Sequence, residues 1–164
     1  NSAVDSLTRS DGLWRVRLGP RTVTARNVIV ATNGYSSETL PALLAGRYLP
    51  MQSSVLATRP LTSEERAAQG WTSRQMCYDS RNLLHYFRLL PDNRMLFGMR
   101  GGLRGTAASE ARAQGRIRRD FREMFPAWTD VEITHFWSGM VCMSGSGFPF
   151  VGESPTDPGL FLSL

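Results

Sequence analysis

The stretch from Leu83 to Met99 constrains the fold most. Leu83 to Leu90 and Met95 to Met99 read as two strands around Pro91-Asp92-Asn93, a turn that closes a hairpin, and Gly101-Gly102 ends it. Successive strand side chains alternate, so Leu84, Tyr86, Arg88 and Leu90 share one face and Leu83, His85, Phe87 and Leu89 the other.

The same period recurs along the chain. Trp14, Val16 and Leu18 alternate with Arg15 and Arg17, the pattern of a half-buried strand. Gly19-Pro20-Arg21 is a turn, and Val23 to Val30 is expected to return as a second strand. Val28 to Thr32 is a continuous apolar run, as for a strand covered on both faces, and it meets the turn signal Asn33-Gly34. Ser37 to Leu44 predicts a short helix, and Tyr48 to Thr58 a long strand interrupted at Pro50. Thr62-Ser63-Glu64-Glu65 has the form of a capping box and opens a helix ending near Gly70. Ser109 is expected to cap a second helix with Ile117, Phe121, Met124 and Phe125 at helical spacing and Pro126 as its stop. Val131 to Val141 reads as another strand, followed by a Gly/Ser/Pro loop over 144–158 and a last apolar strand over 159–164. The expected class is α+β: a mixed but mostly antiparallel sheet with a few flanking helices. The last strand stops without partners, as in an internal fragment of a longer protein.

Composition excludes several chemistries. All 19 basic residues are arginine. The chain therefore supplies no Schiff-base lysine, no lysine general base and no phosphate-gripping P-loop lysine. The net charge of +5 is spread from Arg9 to Arg122. Only Arg112, Arg116, Arg118, Arg119 and Arg122 cluster, and they read as the wet face of a helix, so no nucleic-acid partner is expected. His85, His135, Cys77 and Cys142 have no metal-ligand spacing, so no metal is expected, and no G-x-S-x-G elbow accompanies the histidines. Two distant cysteines and no secretory segment suggest reduced thiols and a cytoplasmic location. No apolar run reaches the roughly 18–20 residues that span a membrane, so no membrane partner is expected.

The segment from Thr24 to Tyr35 carries the most chemistry. A strand that ends in small residues and Asn-Gly lets backbone approach a ligand closely, which suits a dinucleotide at the strand's carboxyl end. An ordinary strand-to-turn junction reads the same way. Val28 to Tyr35 resembles the strand-to-turn motif of FAD-dependent amine oxidoreductases of the D-amino-acid oxidase superfamily, which includes glycine and sarcosine oxidases. Further resemblances follow in that family's order: Leu49-Pro50-Met51-Gln52, the block over 78–100, Trp137-x-Gly139, Pro149-x-x-Gly152, and the strand over 158–161. The block over 78–100 is most similar to the γ-glutamylputrescine oxidoreductase-like branch. The family's Gly-x-Gly-x-x-Gly fingerprint for the FAD pyrophosphate does not occur in the chain.

The resemblance implies the substrate-binding half of a two-domain flavoenzyme. Residues 1–47 would be the end of its FAD-binding part, 48–141 its substrate-binding sheet, and 142–164 the truncated return toward the cofactor. The implied reaction holds a neutral amine or amino acid over FAD, passes hydride equivalents from its α-carbon to the flavin, and releases an imine that hydrolyses. The fragment by itself would be inactive. Ala31, Thr32, Asn33, Gly34, Gln52, Trp137 and Gly139 are implied cofactor neighbours, and no catalytic residue is assigned.

Tyr86 matches a substrate-contacting tyrosine of glycine-oxidase-like members. Arg88 shares its face and is placed either to pair with a substrate carboxylate or to rest at the sheet edge beside Asp79 or Asp92. His85 reads as a structural histidine. Cys142 lies near the position where some sarcosine-oxidase-like members tether the flavin, but its surroundings differ and a buried packing role is the other reading; Cys77 reads as packing. Some members activate dioxygen with a lysine from the hairpin region. Here Met95, Phe97 and Met99 stand on that strand, so dioxygen does not carry over as acceptor. Two other classes remain at this point: a non-catalytic α+β ligand-binding domain and an arginine-driven nucleic-acid binder. Sheet faces left bare in an isolated half predict self-association.

Overall fold

A computed structural model describes residues 2–164. Its contacts divide the chain into two compact units, Asn1–Pro50 with Val141–Leu164, and Met51–Met140.

In the first unit, β1 (Ser6–Ser10), β2 (Leu13–Leu18) and β3 (Arg21–Ala25) form an antiparallel meander in which Trp14 stands opposite both Arg9 and Ala25. The expected strand over 23–30 is in fact two strands in two sheets. β3 ends at Ala25, and after Arg26-Asn27 the chain enters β4 (Val28–Val30). β4 pairs in parallel with the strand near the carboxyl end, Leu160–Ser163, through Val28 N–H donating to Gly159 O and the pairs Val28–Leu160 and Val30–Leu162. That last strand also pairs antiparallel with Val151–Glu153. Trp14, Val30, Leu44 and Leu160 form the unit's core. Only one face of β4 is covered. Val30 is buried while Ile29 is 67% exposed, so the two-sided burial expected of the run does not hold within the described residues. The helix expected over 37–44 is instead a single 3-10 turn at Ala42–Leu44, preceded by another at Asn33–Tyr35.

The second unit is built on a five-stranded sheet. β5 (Tyr48–Pro60) enters it from the first unit; α1 (Ser63–Gln69) follows, then β6 (Cys77–Tyr78), β7 (His85–Leu89), β8 (Arg94–Arg100), α2 (Ala107–Met124) and β9 (Ile133–Ser144). The strand order is β6-β7-β8-β5-β9. β7 and β8 form the expected hairpin, with Tyr86 opposite Gly98 and Arg88 opposite Leu96. Pro50 does not interrupt β5, because pairing with β8 starts only at Ser53. The Thr62 capping box forms, and Gly70 ends α1 in the left-handed region at φ 68°. α2 begins earlier than expected. Thr106 is its cap and Ser109 its reciprocal partner three residues on.

α2 lays Ala113, Ile117 and Phe121 on one face of the sheet, against Leu56, Leu89, Met95, Phe97 and Met99. Edge-to-face contacts of Phe97 with Phe121 and Phe125, and Phe125 stacked on Trp128, fill that layer. Burying the Met95, Phe97 and Met99 side chains contributes about 2 kcal/mol each by transfer arithmetic. Alternation then turns Leu96, Gly98 and Arg100 to the opposite face, together with Tyr86 and Arg88 of β7 and Ser53, Val55 and Ala57 of β5.

Candidate functional site

The face of the sheet turned away from α2 gathers the residues with chemistry. Gly98 makes the arrangement possible. The Tyr86 ring lies flat across it: a Cβ there would stand 2.6 Å from the Tyr86 hydroxyl and closer still to ring carbons Cε2 and Cζ. The ring thereby crosses β8, and its hydroxyl meets Ser53 Oγ on β5 at 2.8 Å. Tyr86 is fixed at both ends before any ligand arrives.

Arg88, two residues on along the same face, has its Nε buried without a hydrogen-bond partner. Neither carboxylate considered for it from the sequence is available. Asp92 pairs with Arg94 at 3.1 Å, and Asp79 pairs with His85 at 2.8 Å and Arg81 at 3.5 Å. A buried guanidinium nitrogen without a partner is costly, and a carboxylate is the group that pairs best with a guanidinium.

Trp137 and Gly139 flank Ser138 on β9. Ser138 Oγ donates to Glu110 of α2 at 2.8 Å, which places it on the helix side and turns Trp137 and Gly139 the other way, with Trp137 46% exposed. Gln52 does not join them. It is 2% exposed, and its amide donates to Ser138 Oγ at 3.4 Å; an added Cβ at Gly102 would come within 2.9 Å of its Oε1. Gln52 N–H donates to Gly102 O and its own carbonyl accepts from Gly101 N–H, so this residue holds the turn after β8 on the α2 side.

In the first unit, Ala31–Gly34 leave β4 as expected. The side chains there serve the turn itself. Thr32 Oγ1 bonds Ser36 Oγ at 2.5 Å, and Asn33, at φ 50°, accepts the Cys142 N–H on Oδ1 at 2.7 Å. Any group bound at this turn would meet backbone more than side chain. Cys142 is half-buried, and desolvation pushes its thiol pKa above the usual value. That disfavours the thiolate, the form needed for covalent attachment. Cys77 is also half-buried, in β6 between exposed Met76 and Tyr78.

His85 is on the other side of the sheet, 4% exposed and stacked on Phe97 at 5.2 Å. Its ring nitrogens face two carboxylates, Nδ1 to Asp79 at 2.8 Å and Nε2 to Asp120 of α2 at 3.1 Å. Burial raises the Asp79 carboxyl pKa, but hydrogen bonds from the His85 ring and from the backbone of His85 and Arg81 outweigh it and hold the group below the usual carboxylate value. This network ties β7 to α2 and faces away from Tyr86. Sequence reasoning did not single out Ser53 or Gly98. The signal for Gly98 was present, a glycine inside an apolar strand directly opposite a tyrosine in the hairpin.

Comparison with known proteins adds an independent finding. The FAD dependent oxidoreductase family matches residues 1–164, the whole chain. Probable oxidoreductase OrdL of Rhizobium meliloti (strain 1021) is 36% identical over 132 residues, 80% of this chain and 29% of that protein. Gamma-glutamylputrescine oxidoreductase of Escherichia coli (strain K12) is 32% identical over 143 residues, 87% of this chain and 33% of its own length. The chain thus spans about a third of the curated relatives it matches. The solved structure of glycine oxidase from Geobacillus kaustophilus shares the fold at a TM-score of 0.72 and 18% identity, over 99% of this chain and 42% of that one.

Proposed function

Because the chain belongs to the FAD dependent oxidoreductase family, we propose that it supplies the substrate-facing sheet of an enzyme that oxidises the C–N bond of an amine or amino acid to an imine. The observation that carries the reading is the unsatisfied, buried Nε of Arg88 beside a prefixed Tyr86 on one sheet face. FAD, when bound, supplies the two-electron oxidation. The chain's own residues bind and orient. Arg88 takes a substrate carboxylate in a bidentate pair, and its planar fork suits that geometry better than a lysine would. The Tyr86 hydroxyl, held by Ser53, both donates and accepts, and so orients the amine without reorganising.

In the second unit, Trp137 and Gly139 are the residues suited to neighbour a cofactor, Gly139 by letting backbone come close. In the first unit, the turn at Ala31, Thr32, Asn33 and Gly34 is suited to offer a cofactor its main chain. This fits an observation at that turn: the Thr32 and Asn33 side chains are already engaged, so backbone is what the turn can offer. Gln52 acts at one remove, by holding the Gly101–Gly102 turn at the end of β8. On this reading the first unit is part of an FAD-binding region and Met51–Met140 the substrate sheet. Free cysteines are consistent with a cytoplasmic enzyme. No helix among the described residues is long and apolar enough to cross a membrane.

The test is Arg88→Gln in the enzyme that carries this chain, assayed with paired amines that differ only in a carboxylate. The KM for the carboxylate-bearing amine should rise at least about tenfold, since hydrogen bonds to charged groups are worth roughly 1.5–3 kcal/mol, while that for its partner stays level. Equal changes for both amines, or an enzyme that binds no FAD, would refute the reading.

A further inference from the structure

On the α2 side, at the end of β8, a cleft of about 310 Å³ opens between the turn over 101–104 and the amino-terminal half of α2. Its floor is apolar, from Met99 and Ala113, and Arg104, Arg112 and Arg116 stand around it. Arg112 and Arg116 are one helical turn apart, so they project together. Arg116 reaches back over the turn, close enough that a Cβ on Gly101 would stand 3.5 Å from its Nη1.

Nothing among the described residues neutralises these three charges. α2 carries three carboxylates, and each is engaged elsewhere: Glu110 accepts from Ser138, Asp120 pairs with His85 and Arg119, and Glu123 faces Arg119. The three side chains reach solvent, and like charges gathered around an apolar floor favour the entry of an anion. Arg119 of the same helix, by contrast, is paired with both Asp120 and Glu123.

We propose that this cleft binds a compact small-molecule oxyanion carrying two or more negative charges, a phosphate ester or a polycarboxylate of roughly pyrophosphate or citrate size. Charge-assisted hydrogen bonds from Arg112 and Arg116 hold it, with Arg104 closing from the turn. The site lies on the opposite face of the sheet from Tyr86 and Arg88 and does not depend on the oxidoreductase reading.

Isothermal titration of the chain with sodium pyrophosphate, and separately with citrate, at low ionic strength tests this. Saturable one-to-one binding of either anion is expected, and which one binds tells phosphate from carboxylate as the source. Binding should weaken at least about tenfold in the Arg112→Ala/Arg116→Ala double variant and stay within twofold in Arg122→Ala, which removes a charge from the same helix outside the cleft. No saturable binding of either anion overturns the proposal. An equal loss in Arg122→Ala also overturns it, since it would mean diffuse attraction to a basic helix.

Discussion

Gly98→Ala offers the sharpest check on the substrate face. Gly98 has no left-handed backbone requirement, so alanine meets no strain from φ. The whole effect falls on Tyr86. The new Cβ would stand 2.6 Å from the tyrosine hydroxyl and nearer to two ring carbons, whereas ordinary contact begins at 3.4 Å. The ring must therefore retreat by about 1 Å or swing off the strand, and the 2.8 Å hydrogen bond to Ser53 breaks in either case. Overpacking costs about 1–3 kcal/mol and the lost hydrogen bond about 1, while replacing glycine returns about 0.4–1 through the unfolded chain. The net loss is about 2 kcal/mol, read as a fall in Tm of roughly 4–8 °C at this chain length. A double-mutant cycle with Tyr86→Ala separates cause from accident. Once the ring is gone, Gly98→Ala should cost nothing or stabilise slightly. If Gly98→Ala is silent in the native background, or costs the same after Tyr86→Ala, the placement of Tyr86 is wrong.

His85→Phe should keep the stack on Phe97 but remove the ring that bridges part-buried Asp79 and buried Asp120, lowering stability in urea titrations by about 2 kcal/mol. Because the folded Asp79 pKa lies below its unfolded value near 3.9, its contribution is complete above about pH 4 and is lost as pH falls through the folded value; in His85→Phe this acid-side loss should vanish or reverse. Glu65, bridged to Arg59 at 2.6 Å and capping Thr62 N–H, has its pKa lowered to about 2, chiefly by the Arg59 hydrogen bonds. Glu65→Gln should therefore cost about 1 kcal/mol at pH 7, and the gap from the native chain should close between about pH 4.3 and pH 2, read from unfolding midpoints. Cys142, its thiol pKa raised by desolvation, should react with iodoacetamide at pH 8 more slowly than a free cysteine does, as followed by mass spectrometry; an equal or faster rate would contradict the burial found here.

The parts of the fold legible in the sequence are those where local chemistry and tertiary demand agree. The Pro91-Asp92-Asn93 hairpin, the Thr62 capping box with its Gly70 stop and the Ile117–Phe121 stripe are each set by turn residues, caps or helical period, and all three are present. The α+β class followed from them and holds. The failures lie where distant pairing decides. Val23 to Val30 reads as one apolar strand, but Val28–Val30 is claimed by Leu160–Leu162, some 130 residues away, and nothing local to 23–30 announces that partner. Tyr86 and Arg88 could be placed on one face from alternation alone. Gln52 could not be separated from Trp137 and Gly139, because their opposite orientation depends on how β5 and β9 align and on Ser138 reaching Glu110.

Strand alternation also changes what the missing lysine means. Met95, Phe97 and Met99 do not face Tyr86; they are buried against α2, and a cation at any of them would be unpaired in the core. By alternation the β8 positions on the Tyr86 side are Arg94, Leu96, Gly98 and Arg100. Leu96 lies beside Arg88 and Gly98 lies under the Tyr86 ring, so the cations β8 presents by alternation are Arg94, paired with Asp92, and Arg100. Arg100 stands opposite Ser53, the residue that fixes Tyr86. A lysine at such a position can lose its proton when desolvated; an arginine cannot. The positive charge that β8 carries on this side is therefore arginine's planar guanidinium, which pairs with carboxylates but is not a proton source of ammonium type.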